Sequence, residues 1–229
     1  AAWQFDPNGK TAEEKLTEYG TGDDGYNATT GSGKLSGTVD GTNMRSLEWS
    51  VAEYGTNGLN MVPIMPAGSK NLWGTPYVQF EISTKNYEDI HFTAYMAGSK
   101  KCPASWKMQY SLDGETFTDI DGAVATIELA KRKMMTAYLD DIALPQAIND
   151  KEKVIIRLVP VSNKTVNGGT TEDDPTGGEL ALNNILISGT KKSAQQLLGD
   201  INKDGVVSIL DATFIQRALV QKEHIDDGD

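Results

Sequence analysis

The sequence predicts an all-β fold: a jelly-roll-like β-sandwich over residues 1–189, followed by a short loop and helix. Three observations lead to this prediction. From Trp3 to Gly189, short alternating runs are separated by Gly, Asn, Asp and Pro, as is typical of sandwiches. Helical periodicity is nearly absent from the same stretch. After Gly189 the composition changes to a polar linker, residues 190–197, and then to a distinct segment, residues 198–229.

Composition and charge exclude several classes of function. The chain has 229 residues, with 21 Lys and Arg against 32 Asp and Glu, and a net charge of −11. Nucleic acid is not expected as a partner, because phosphate binding requires clustered cations. No apolar run reaches the roughly 18 residues that a membrane helix needs, so membrane insertion is not expected. The single Cys102 excludes an internal disulfide and a Cys-rich zinc site.

Period-two alternation predicts the strands in order along the chain and assigns a face to each side chain. Residues 45–51 place Leu47, Trp49 and Val51 on one face, and residues 77–84 turn Val78, Phe80 and Ile82 inward. Residues 106–111 place Trp106, Met108 and Tyr110 on one face. The segment 111–114, which ends in Asp-Gly, predicts a turn after that strand. Two further strands are predicted at 153–161 and 182–188.

The strand at residues 87–96 predicts a candidate binding face. Its inward set is Ile90, Phe92, Ala94 and Met96, which leaves His91, Thr93 and Tyr95 outward. Beside the outward Tyr77 of the neighbouring strand, these side chains are expected to form one aromatic, hydrogen-bonding outer face, although a satisfied or loop-covered surface is the alternative.

Two segments are predicted to be long loops, residues 53–73 and 163–179, and binding sites are often placed in such loops. The first contains Tyr54, Asn71 and Trp73. Alternation buries Trp49 and Trp106, and Trp3 shares a face with Phe5. Trp73 is therefore the candidate for an exposed ring, with the alternative that it packs over the end of the sandwich.

The segment that starts at Asp200 has the spacing of a calcium loop. Oxygen-bearing side chains stand at loop positions 1, 3, 5, 9 and 12, Gly205 makes the sharp turn at position 6, and position 7 offers a carbonyl. A hard cation such as Ca²⁺ takes this kind of oxygen shell. The predicted ligands are Asp200, Asn202, Asp204, the Val206 carbonyl, Ser208 and Asp211. A helix pattern begins at the end of the loop, with Leu210, Phe214 and Ala218 on one stripe.

Residues 199–220, GDINKDGVVSILDATFIQRALV, resemble one repeat of a type I dockerin. The resemblance implies a partial dockerin over residues 198–229 and a protein that is secreted, in an extracellular or cell-surface complex. It also implies a cohesin domain of a scaffoldin as partner. The residues that correspond to cohesin contacts are Ile209, Leu210, Gln216 and Arg217.

Residues 45–189 also resemble a β-sandwich of secreted proteins from anaerobic gut bacteria, through Val62-Pro63-Ile64, Trp73-Gly74, the stretch 110–114, Gly178-Glu179 and Asn184-Ile185. A sandwich joined to a dockerin is similar to the non-catalytic starch-adherence proteins of an amylosome. The resemblance implies carbohydrate binding, with starch-type α-glucan as ligand.

The alternative functions are a cell-surface adhesin or protein-binding module and, third, a glycan-active enzyme. Catalysis is not expected, because the sequence contains no Ser/His/Asp order and no HExxH motif, although two carboxylates would suffice for a glycosidase. Sugar rings stack on aromatic faces flanked by polar groups. The candidate carbohydrate-binding residues are Trp73, Asn71, Tyr54, Tyr77, His91 and Tyr95.

Overall fold

The computed structural model describes residues 1–4, 25–37, 44–51, 56–61, 77–128, 135–171, 178, 180–192, 199–202 and 205–226. These residues divide between two compact units, 1–191 and 192–229. The described strands are β1 Ala2–Trp3, β2 Tyr26–Asn27, β3 Lys34–Gly37, β4 Met44–Val51, β5 Thr56–Met61, β6 Val78–Ile82, β7 Tyr87–Gly98, β8 Ser105–Ser111, β9 Thr118–Thr126, β10 Met135–Ala143, β11 Val154–Pro160 and β12 Leu180–Lys191. A 3₁₀ turn spans Gln146–Ile148, and the helix α1 spans Ile209–Asp226.

The first unit is a β-sandwich of two antiparallel sheets, as the sequence predicts. Sheet A has the strand order β10-β7-β12-β5-β4, with β1 added against β12. Sheet B has the order β2-β3-β6-β11-β8-β9. Several neighbours in these orders are distant in sequence, so most pairing is non-local, which is typical of sandwiches.

The core lies between the two sheets and is built from the inward side chains of both. Phe80 of sheet B meets Phe92 of sheet A with ring centroids 5.3 Å apart, and Trp3 lies 5.4 Å from Phe80. These rings are fully buried. Trp106 is buried as well, and its indole nitrogen donates to the Pro103 carbonyl oxygen at 2.9 Å. Burial of these large apolar side chains is the main stabilising contribution to the sandwich.

Alternation predicts the buried side of most described strands correctly. The inward sets predicted for β6 and β7, and the predicted core position of Trp106, are confirmed by burial. The side chains of Trp49 and Phe5 lie outside the described residues. β12 continues to Lys191, two residues beyond the end predicted for the sandwich.

Two predictions about the organisation of the sandwich are wrong. The predicted loop 53–73 contains strand β5, which pairs with β4 and β12. The strands β6 and β7 are consecutive but lie in different sheets, because β6 pairs with β3 and β11 while β7 pairs with β10 and β12. β6 and most of β7 bury alternate side chains, and this burial alone does not decide which neighbour a strand pairs with.

The second unit contains a loop and the helix α1. The helix stripe that the sequence predicts is solvent-exposed here, since Leu210 and Phe214 are both more than half exposed. Among the described helices, none combines the length and the apolar character required to cross a bilayer.

Candidate functional site

A row of polar side chains crosses the outer face of sheet B. Ser36, Gln79, Arg157, Gln109 and Asp119 stand directly opposite one another on β3, β6, β11, β8 and β9. The inward neighbours Ile156 and Leu158 are buried, which fixes the outward direction of Arg157. We call these five residues the arginine row.

Hydrogen bonds connect the centre of the arginine row. Arg157 Nε donates to Gln109 Oε1 at 2.8 Å, and Gln109 Nε2 donates to Asp119 Oδ1 at 2.5 Å. Lys107 Nζ donates to the second carboxylate oxygen of Asp119 at 2.7 Å. The hydrogen bonds from Lys107 and then Gln109 hold the pKa of the Asp119 carboxyl below its ordinary value. The row therefore presents fixed charged and amide groups at a partly exposed surface.

Two aromatic rings flank Arg157. Its guanidinium carbon lies 3.3 Å from the centroid of Phe117 and 5.9 Å from that of Tyr77. This arrangement is a cation–π contact, which orients the planar guanidinium. Partial burial lowers the pKa of the Arg157 guanidinium from its ordinary value.

The loop between β8 and β9 places Phe117 over the sheet. Asp113 Oδ1 accepts hydrogen bonds from the Ser111 hydroxyl at 2.9 Å and from the backbone nitrogens of Glu115 and Thr116 at 2.8 Å each. Gly114 follows with a φ of 84°, a conformation that glycine adopts without strain. The backbone hydrogen bonds lower the pKa of the Asp113 carboxyl strongly. The sequence predicts this turn, but it does not predict that the turn brings the Phe117 ring into contact with Arg157.

A second aromatic group lies on the outer face of sheet A. The rings of Tyr95 on β7 and Tyr138 on β10 stack with centroids 4.3 Å apart and an interplanar angle of 11°. Next to them, His91 Nδ1 lies 2.9 Å from Asp141 Oδ1, and the backbone nitrogen of Asp141 donates to Thr93 Oγ1 at 3.1 Å. We call these five residues the tyrosine face.

A β-bulge builds the polar half of the tyrosine face. The register between β10 and β7 shifts between Leu139 and Ile142, and Asp141 takes a φ of 48°. Aspartate is among the few residues that tolerate this conformation. The bulge turns the Asp141 carboxylate toward His91, in line with the frequent use of bulges to redirect side chains.

The predicted carbohydrate-binding residues fall into three groups. Tyr77 lies beside the arginine row, whereas His91 and Tyr95 belong to the tyrosine face. The prediction that all three share one outer face is therefore wrong, because β6 and β7 are in different sheets. The remaining three candidates, Tyr54, Asn71 and Trp73, lie outside the described residues.

Asp211 organises the C-terminal loop. The residue is only 3% exposed, and its carboxylate accepts backbone hydrogen bonds from Ile201 at 2.8 Å, Asn202 at 3.2 Å and Ser208 at 2.7 Å. These bonds, the Ser208 bond first, lower the pKa of the Asp211 carboxyl. The loop and the first turn of α1 are thereby joined through one side chain.

The other predicted calcium ligands belong to the same loop. Asp200 Oδ2 accepts a hydrogen bond from the Gly205 nitrogen at 2.9 Å, and Ser208 Oγ caps α1 by accepting from Leu210 at 3.2 Å. Gly205 has a φ of 87°, as the sharp turn at that position requires. Asn202 is partly buried and Val206 is exposed, whereas Asp204 is not among the described residues. The ligand atoms that these residues would offer to a metal ion are all oxygens, and a hard cation such as Ca²⁺ prefers oxygen ligands.

Within the described part of the chain, no group of three or more His, Cys, Asp or Glu side chains is arranged to hold a metal ion. On α1, the four residues that correspond to cohesin contacts, Ile209, Leu210, Gln216 and Arg217, are all exposed, Ile209 at 80%.

Comparison with known proteins gives similarity of fold only. No protein-family model matches the chain. No curated protein matches it. Solved structures that are similar include TmCBM61 in complex with β-1,4-galactotriose, with 7% identity, a TM-score of 0.35, and 69% of this chain and 88% of that chain covered.

A second similar structure is the CBM22-2 xylan-binding domain from Paenibacillus barcinonensis Xyn10C, with 12% identity, a TM-score of 0.35, and 70% and 89% of the two chains covered. A third is the N-terminal cellulose-binding domain of Cellulomonas fimi β-1,4-glucanase C, with 14% identity, a TM-score of 0.30, and 61% and 82% covered. At these scores the similarities carry no argument about ligands.

Proposed function

We propose that the sandwich is a non-catalytic carbohydrate-binding domain and that the arginine row, with Tyr77 and Phe117, is its binding surface. The observation that supports this proposal is a guanidinium that contacts two aromatic rings and is linked by hydrogen bonds to an amide and, through it, to a carboxylate on the same sheet face. Aromatic rings suit the C–H face of a pyranose, and the polar groups suit its hydroxyls. The surface offers donors and acceptors together, as hydroxyl groups require.

The favoured ligand is an α-glucan of the starch type. This part of the proposal rests on the resemblance to starch-adherence proteins, and the arginine row is compatible with it because a glucan is neutral and rich in hydroxyls. The same reasoning makes the protein a secreted component of an extracellular or cell-surface complex.

The C-terminal unit is proposed to bind one Ca²⁺ and to join a cohesin. Asp200, Asn202, Asp204, the Val206 carbonyl, Ser208 and Asp211 would hold the ion, which supplies charge neutralisation and cross-linking of the loop. The exposed apolar residues Ile209 and Leu210 support a protein partner for α1.

A protein-binding module is the second candidate function for the sandwich. The packing of Arg157 between aromatic rings favours it, since arginine and aromatic side chains are enriched at binding hot spots. Measuring binding to a panel of glycans distinguishes a carbohydrate-binding domain from a protein-binding module.

The test is native electrophoresis in gels that contain amylopectin, xylan, pectin or mucin, with a non-binding protein as mobility standard. Selective retention in amylopectin supports the full proposal, and retention in xylan instead supports carbohydrate binding but contradicts the α-glucan. Unretarded migration in all four gels contradicts carbohydrate binding.

A further inference from the structure

The tyrosine face also combines aromatic surface with hydrogen-bonding side chains, and it lies on the outer face of the other sheet of the sandwich. Tyr95 and Tyr138 supply aromatic surface, and Tyr138 is 40% exposed. His91, Thr93 and Asp141 supply hydrogen-bonding groups along the adjacent stretch of β7 and β10. Because it belongs to sheet A, this surface is separated from the arginine row by the full thickness of the sandwich core, about 10 Å between the sheets plus the outer side chains.

The geometry of the tyrosine face is fixed before any ligand arrives. The stacked rings restrain one another as a cross-strand pair, and the bulge holds Asp141 against His91 and Thr93. A hydrogen bond with Tyr95, partial desolvation and a hydrogen bond with Asp140 raise the pKa of Tyr138, so its hydroxyl stays protonated at neutral pH. A preformed surface loses little side-chain entropy on binding.

The charges on the tyrosine face select the kind of ligand. Asp140 and Asp141 both belong to the bulge, and the Asp141 carboxylate is 75% exposed. Carboxylates accept hydrogen bonds from hydroxyl groups but repel anions. The surface is therefore suited to a neutral glycan and unsuited to a uronic-acid polymer.

We propose that the tyrosine face is a second, independent binding site for neutral glycan, so that one sandwich holds two polysaccharide chains and cross-links them. The proposal rests on the proposed function of the arginine row. A short oligosaccharide cannot reach both outer faces, so each site takes its own ligand molecule. Cross-linking is then a consequence of placing the sites back to back.

The experiment is isothermal titration of the full chain with maltoheptaose, combined with turbidity of amylopectin mixtures. We expect two bound oligosaccharides per wild-type chain and one in Tyr138→Ala. One is also expected in Arg157→Met, and none in the double variant. Loss of a stacked ring weakens its site about thirtyfold. Only proteins with both sites should make amylopectin turbid, and polygalacturonate should not compete at the tyrosine face.

Tyr87 provides a matched control. It is 42% exposed and lies on the same strand as Tyr95, but eight residues away, which is roughly 26 Å along β7. Tyr87→Ala should retain two ligands. Asp141→Asn serves as a second variant that leaves both rings in place and keeps a residue tolerant of positive φ, and it should weaken only the second site.

The outcomes separate the two proposals. One ligand per wild-type chain, lost in Arg157→Met and retained in Tyr138→Ala, would overturn the second site and leave the proposed function standing. One ligand that is lost in Tyr138→Ala and kept in Arg157→Met would overturn both the two-site proposal and the placement of the first site. No binding by the folded wild-type chain would overturn both.

Discussion

Substitution of Arg157 by Met tests the arginine row most directly. Methionine is long enough to keep apolar contact with Phe117, so the packing at 3.3 Å is largely replaced, while every hydrogen-bond donor of the guanidinium is removed. A hydrogen bond to a charged group contributes about 1.5–3 kcal/mol. If one such bond to a sugar hydroxyl is lost, the dissociation constant rises by roughly tenfold to a hundredfold.

The effect on folding should be much smaller. Arg157 is partly exposed, and its described contacts are one hydrogen bond to Gln109 and two ring contacts. An exposed cation–π contact contributes about 0.5–1 kcal/mol, part of which the methionine packing restores. The melting temperature should therefore change by only a few degrees.

The assay combines electrophoresis in amylopectin with titration of maltoheptaose, on samples whose folding has been checked by thermal melting. Lys153→Met is the control for loss of a positive charge, since Lys153 pairs with Glu81 at 2.8 Å on the same sheet and lies outside the arginine row. Arg157→Lys retains the charge but not the planar fork, so it should bind weakly. A folded Arg157→Met protein that binds as tightly as the wild type at both sites would refute the assignment.

Three further predictions concern the calcium loop, catalysis and the tryptophans. Replacing Asp200 and Asp204 with Ala should remove one bound Ca²⁺, whose ligand oxygens we expect at about 2.3–2.6 Å, and calorimetry with unchanged stoichiometry would contradict the loop. The protein should release no reducing sugar from starch above a buffer blank, and release that survives repurification would contradict a non-catalytic role. The sequence also predicts a glucan contact at Trp73, so Trp73→Ala should reduce retention in amylopectin with little change in melting temperature, and undiminished retention by the folded variant would contradict that contact and leave binding to the arginine row and the tyrosine face. The buried Trp106→Ala should instead destabilise the fold by about 3–5 kcal/mol. An unfolded Trp73→Ala protein would instead place Trp73 in the packing.

The sequence predicts which face of a strand is buried better than it predicts which strands pair with one another. Val78, Phe80 and Ile82 alternate with polar residues, and one side of a sandwich strand must be buried, so their inward direction follows from the pattern. The same pattern is compatible with several partners for β6. The short connection to β7 favours a hairpin, but the strands pair in different sheets, through contacts with strands distant in sequence.

Strand β9 shows why some elements are not predicted. It buries Ile120, Ala123 and Ala125, with Gly122 at a φ of 73° and a register shift in its pairing with β8. The irregular spacing breaks period two, and alanine gives only a weak hydrophobic signal. Strand β10 is interrupted in a comparable way by the bulge at Asp141.

The outward direction of Arg157, the central residue of the arginine row, can be inferred from the sequence. Residues 153–161 read KVIIRLVPV, and a lone arginine in such an apolar strand must point away from the core because an unpaired buried charge is costly. The sequence does not show that Gln109 and Phe117 meet it, since those residues come from β8 and the following loop. Their proximity depends on the pairing register of β11 with β8, which is set by non-local contacts.

That register links the fold to the proposed binding surface. If β11 slipped by one residue, Arg157 would enter the core and Ile156 and Leu158 would face solvent, so the burial that stabilises the sandwich also excludes this alternative. The row of five polar residues on five neighbouring strands is then a direct consequence of correct pairing across sheet B. Arg157 is the one residue of β11 that is not buried, so Arg157→Met can change binding while the sandwich remains folded.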